Sequence, residues 1–171
     1  MKLFVLCKAL CALFFLTVPA FGHEYLLGEL NIGHPWARPT LGQSLNGAAY
    51  LTIENKGQTD DTIVAVETPG ARKAELHTHI VEDSVVKMRK LGNGLRVPAG
   101  ETVKFEPGSH HIMLLGVKEA LKLGQKMPLT LVFQNAGAID VMVNIEMQPA
   151  AAAGESKGEA AVVDHSNHGT Q

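Results

Sequence analysis

Residues 139–147 constrain the fold more than any other stretch. Ile139, Val141, Val143, Ile145 and Met147 alternate there with Asp140, Met142, Asn144 and Glu146. Side chains at i and i+2 share one face of a strand, so the run is extended, with one apolar and one wetter face. The same period recurs in Ala49, Leu51 and Ile53 against Tyr50, Thr52 and Glu54, and in Leu129, Leu131 and Phe133 against Thr130, Val132 and Gln134. Turn-forming sequences punctuate the chain: Asn55-Lys56-Gly57, Pro69-Gly70, Asn93-Gly94, Pro98-Ala99-Gly100, Pro107-Gly108 and Asn135-Ala136-Gly137. The pattern predicts about eight or nine short strands between residues 25 and 147, folded as an antiparallel sandwich or barrel. Residues 116–123 are expected to hold one helical turn before Gly124.

Composition narrows the function classes. With 171 residues, 46% hydrophobic and 19% charged, the chain builds one ordinary core and is neither collagen-like, coiled-coil nor wholly disordered. A net charge of −2 supplies no basic field for nucleic acid. Residues 1–22 read as an export signal: Met1-Lys2 and Lys8 are followed by an apolar stretch too short to span a bilayer. Cleavage after Gly22 leaves a mature chain of 149 residues beginning at His23, with 13 basic against 17 acidic side chains and a charge of −4. Cys7 and Cys11 both fall inside the signal. The mature chain then has no disulfide, no Cys nucleophile and no thiolate ligand. Neither cysteine has a lipoprotein context, so a soluble periplasmic protein without a stable membrane anchor is expected. Residues 23–148 form the domain. From residue 149 the composition turns to Ala, Gly, Ser, Lys and Glu, and residues 149–171 read as a disordered tail with His165 and His168. No Ser-His-Asp arrangement, carboxylate pair, phosphate loop or open zinc triad stands out, so an enzyme is not expected.

Eight His and six Met are the unusual inventory. Strand geometry puts His111 and Met113 on one face, and His77 with His79 on another strand's common face. Met88 follows His77 closely enough for a hairpin to bring both to one edge with His111 and Met113. Thioether sulfur is soft and imidazole intermediate. A His/Met set without thiolate or carboxylate suits Cu(I) better than zinc, calcium or magnesium, and a blue-copper site would need a Cys. His79 precedes Glu82-Asp83 in a turn sequence and reads as a solvated loop residue. Met127, Met142 and Met147 read as packing. Trp36 in His34-Pro35-Trp36-Ala37-Arg38 reads as a cap on the core, with Arg38 paired to a carboxylate. His165 and His168 near Asp164, and His23 at the mature N-terminus, are candidate secondary Cu(II) ligands.

At these residues the sequence resembles the periplasmic copper chaperones called PCu(A)C. Their motif is a His, ten residues, a Met, twenty-one residues and His-x-Met. His77 and Met88 enclose ten residues, and His111-Ile112-Met113 supplies the final pair after twenty-two, one more than the pattern. The turn sequence Gly92-Asn93-Gly94 accommodates the added residue. Strict counting selects His110, but then Ile112 stands where Met is required, so His111 is preferred and His110 is its substitute. Glu75-Leu76-His77, Val97-Pro98-Ala99-Gly100 and Pro128-Leu129-Thr130-Leu131 also resemble family segments. The resemblance implies an all-β, cupredoxin-like Greek-key fold holding Cu(I) on His77, Met88, His111 and Met113. It further implies delivery of copper to the Cu(A) domain of cytochrome c oxidase subunit II or to another copper chaperone. The rival readings are a periplasmic copper buffer without a dedicated acceptor, and a structural β-sandwich with no metal role.

Overall fold

A computed structural model describes residues 24–41 and 45–147. The proposed signal (residues 1–22), His23 and the tail with His165 and His168 lie outside the described residues. Eleven strands form among those described: β1 (Tyr25–Leu27), β2 (Leu30–Ala37), β3 (Asn46–Asn55), β4 (Asp61–Glu67), β5 (Ala71–Glu82), β6 (Val85–Lys90), β7 (Leu95–Val97), β8 (Thr102–Phe105), β9 (His111–Val117), β10 (Lys126–Phe133) and β11 (Gly137–Ile145). No described residue is helical. The all-β expectation is borne out, with more strands than the periodicity suggested. The additional ones are β1, β7 and β8, three or four residues long, too short to display a period.

The strands run in the order β6-β5-β9-β3-β2-β11-β10-β4-β7, with β1 added to β2 and β8 to β3. Every strand pair is antiparallel except β11 with β2, which is parallel. The many residues between those two strands provide the long connection that parallel pairing needs. Both halves of this open sheet face one core. Ile112 and Leu114 of β9, Leu51 and Ile53 of β3, Leu129 and Leu131 of β10, and Val141, Val143 and Ile145 of β11 are essentially inaccessible to water and belong to a single cluster. The alternation in β10 and β11 is thus the division between core and surface. Met127 packs in that core as expected, whereas Met142 and Met147 are exposed, which corrects the packing reading of those two.

Residues 116–123 hold no helical turn. Gly116 lies in the left-handed region at φ 64°. The buried Leu121 is then pinned across the fold: its amide donates to Thr40 Oγ1, and its carbonyl accepts from the Thr40 amide. Those bonds satisfy the backbone that a helical turn would have satisfied internally. The β5–β6 hairpin turns at Asp83 and Ser84, both at positive φ, the backbone that tight two-residue hairpin turns demand.

Candidate metal centre

The first strands of the sheet, β6-β5-β9-β3, position the candidate ligands. Register sets His79 opposite Met88 and His77 opposite Lys90 on the β5–β6 side. On the β5–β9 side it sets His77 opposite His111 and Glu75 opposite Met113. Met113 in turn faces Ala48 of β3. Ile112 and Leu114 point to the core, so His111 and Met113, alternating with them, project from the other face of β9. His77 and His79 project from the corresponding face of β5, since Leu76 between them and Glu75 is buried in the core. The candidate donors therefore collect on the sheet face opposite the core, near its β6 end.

A cavity of about 220 Å³ opens there, lined by His79, Met88, His111, Met113, Ala48, Tyr50, Asn46 and Gly47. Small residues on β3 leave the space, and Tyr50 closes one side. The Tyr50 ring is tilted against Trp36, with centroids 4.6 Å apart. Burial pushes the Tyr50 phenol above its ordinary pKa, opposed by the nearby Arg38 charge. Trp36 thus serves as a buried support behind the cavity wall.

His111 is the buried end of the cluster at 3% exposure, and Met88 the open end at 49%. The His111 Nδ1–H donates to the Ser109 carbonyl at 3.2 Å, because a carbonyl only accepts. That bond fixes the tautomer and leaves the Nε2 lone pair available. Burial lowers the His111 pKa, partly opposed by the Ser109 bond, and the neighbouring His79, His77 and His110 lower it further. The ring is neutral at neutral pH, the form that binds metal.

His77 stands beside the cavity, its ring centroid 5.8 Å from that of His111. Its Nε2–H donates to Glu75 Oε2 at 3.0 Å. Lys73 and Lys90 also contact Glu75. Hydrogen bonds from Lys73, then His77 and Lys90, draw the Glu75 carboxyl down to about 2, so it is ionised and accepts from all three. His77 Nδ1 is buried and has no hydrogen-bond partner. His79 belongs to strand β5 and not to a loop, contrary to the sequence reading. Its ring lies 5.1 Å from that of His111, and it lines the cavity. The acidic pair Glu82-Asp83 marks a turn that begins only at Asp83, leaving His79 in the strand. Its place two residues from His77 was the usable signal. His110 lies on the other face, its ring 6.2 Å from Phe105, and is not among the cavity residues. Among the described residues, no three His, Cys, Asp or Glu side chains are placed to hold one metal ion. A metal set at this cavity needs the thioethers.

A family model described as "Putative lipoprotein LpqE-like" matches residues 30–145. The chain belongs to the LpqE-like family. Curated relatives include a protein of Leifsonia xyli subsp. xyli described as "Putative lipoprotein Lxx21020", 32% identical over 99 residues. Another is the uncharacterized protein RP573 of Rickettsia prowazekii, 33% identical over 104 residues. These matches cover 58% and 59% of this chain, and only 60% and 58% of the relatives' own length. Among solved structures, this LpqE-like chain is similar to the apo PCuAC domain from PmoF1, with TM-score 0.62 and 29% identity over 72% of this chain and 98% of that one. The copper-bound PCuAC domain from PmoF2 superposes with TM-score 0.63 at 24% identity, covering 72% of this chain and 97% of that one. The CuI form of DR1885 from Deinococcus radiodurans gives TM-score 0.57 at 22% identity, covering 75% and 84%. The expected relationship to PCu(A)C domains is borne out, and with it the fold.

Proposed function

We propose that this LpqE-like protein is an exported Cu(I) metallochaperone, carrying the ion on the face of the sheet opposite its core. The observation that carries this reading is the cavity lined by Met88, Met113, His111 and His79, with no carboxylate in its wall. Two thioethers and neutral imidazoles are soft to intermediate donors and fit Cu(I). A hard cation would find no charged oxygen there. The similar structures include a copper-bound PCuAC domain and a CuI form of DR1885, which supports the same cargo. The proposed ligands are His77, Met88, His111 and Met113. His77 is oriented by Glu75 in the manner of a carboxylate that aligns a metal-binding imidazole.

The gradient of burial supports carriage over catalysis. His111 is buried and pre-oriented, whereas Met88 stands at the rim within reach of another protein. An acceptor's thiolates would replace the rim thioether first, then the inner donors, so that the ion is never released to solvent. The acceptor we propose is the Cu(A) domain of cytochrome c oxidase subunit II, or another copper chaperone. Export is supported by the signal-like residues 1–22 and by the lipoprotein names of the family and of a relative.

The test is an anaerobic Cu(I) titration against a coloured chelator, with Met88→Ala and Met113→Ala alongside. One tightly bound ion, weakened in both variants, is expected. Binding unchanged by both substitutions refutes the site. Transfer to a Cu(A) domain faster than free dissociation separates a chaperone from a buffer.

A further inference from the structure

The spacing motif allots one β5 donor to copper and gives that role to His77. The structure places two histidines on that face of β5, and only His79 is among the residues lining the cavity. Its register partner is Met88, so imidazole and thioether project side by side from adjacent strands. Its ring lies closer to His111 than the His77 ring does, 5.1 Å against 5.8 Å. Its Nδ1 is shut off from water and has no hydrogen-bond partner. His77 Nδ1 and His110 Nδ1 are in the same state, so what singles out His79 is its place in the cavity wall and its register with Met88; a bound ion would satisfy its nitrogen.

We infer that His79 is a copper-ligating residue of this site, an assignment that rests on the Cu(I) reading above. His77 and His79 lie two residues apart on β5, with rings 5.8 and 5.1 Å from that of His111 on β9. His77 is tethered to Glu75, whereas no hydrogen bond holds the His79 ring nitrogens to a protein partner among the described contacts. His79 with Met88 forms the outer pair, and His77 with His111 the inner pair.

The experiment uses the full exported chain with Cu(I) alone, under anaerobic conditions, read by competition with bicinchoninate and by side-chain 15N shifts of the histidines. In the wild type, a ring nitrogen of His79 is expected to shift on saturation together with that of His111. His79→Ala is expected to weaken binding by about tenfold or more. The double variant His77→Ala/His79→Ala should be weaker still than His77→Ala alone, because it loses a second donor. An unshifted His79 ring, with His79→Ala binding as the wild type and the double variant matching His77→Ala, overturns the assignment. Failure of the wild type to compete for Cu(I) removes the underlying copper reading, and this assignment with it. The 15N readout is taken on the intact wild type, so it stands even if a variant fails to fold.

Discussion

Glu75→Gln removes the carboxylate that Lys73, Lys90 and His77 share while keeping the side chain's shape. The folded protein holds that carboxyl at about 2 instead of 4.5, chiefly through the Lys73 hydrogen bond and then those from His77 and Lys90. At 1.36 kcal/mol per pH unit, the difference sets a ceiling of about 3.4 kcal/mol. Glu75 itself is 10% exposed, but the side chains of Lys73 and Lys90 are 60% and 51% exposed, and water screens their attraction. Halving the ceiling gives about 1.7 kcal/mol as the expected contribution. The sign follows from the lowered pKa. The stabilisation is present above the unfolded carboxyl's value near 4.5 and is lost as the pH falls towards 2. Urea unfolding of wild type and variant at pH 7 and pH 3 measures it. The wild type should exceed the variant by about 1.7 kcal/mol at pH 7 and by less than half of that at pH 3. A gap of equal size at both pH values would refute the electrostatic argument, and no gap at pH 7 would show that the ion pairs contribute nothing.

Three further substitutions probe what holds the sheet. Asp61 is buried, and its carboxylate accepts from the backbone amides of Thr62, Asn135 and Ala136 at 2.7, 3.0 and 2.9 Å. Asp61→Ala leaves those donors unpaired and should cost about 3 kcal/mol by urea unfolding; a loss below about 1 kcal/mol would mean that water replaces the carboxylate freely. Ile112→Ala should cost about 2–5 kcal/mol, whereas Met113→Ala, next to it but on the outer face, should cost under about 1 kcal/mol without metal. Equal losses in the same unfolding assay would deny that alternation in β9 divides core from site.

The legible part of the fold is the part written in period two. β3, β10 and β11 carry apolar side chains at every second position, and those side chains are the ones the core buries. The parallel pairing of β11 with β2 left no local trace, because register between distant strands is decided by the closing of the whole sheet. The failed helical turn at residues 116–123 has a similar cause: the Thr40–Leu121 bonds cross some eighty residues of sequence. At the site, Met88, His111 and Met113 were legible from spacing and alternation, and the cavity contains all three. His79 was legible in principle by its two-residue offset from His77. Its assignment to a loop gave Glu82-Asp83 too much weight, although a hairpin strand runs on until its turn residues adopt positive φ, here Asp83 and Ser84. The role of Glu75 was not legible. Lys90 is fifteen residues away in sequence and reaches Glu75 only through the hairpin register.

Strand β9 shows why a core and a candidate metal site can be specified separately in so few residues. Ile112 and Leu114 face inwards and are fully buried, while His111 and Met113 face the cavity. A change on one face leaves the other's packing in place, since consecutive side chains point apart. The site also joins elements of unequal anchorage. β9 lies between β5 and β3, but β6 is the terminal strand of the sheet, and all six of its residues are exposed. A terminal strand with little buried area is the first to open locally. Under the proposed function that asymmetry is useful: Met88 sits on the element most able to yield, while His111 sits on one that cannot move without disturbing the core. An ion handed over at the β6 rim would leave the buried donor in place for the next one, so loading and unloading need no rearrangement of the fold.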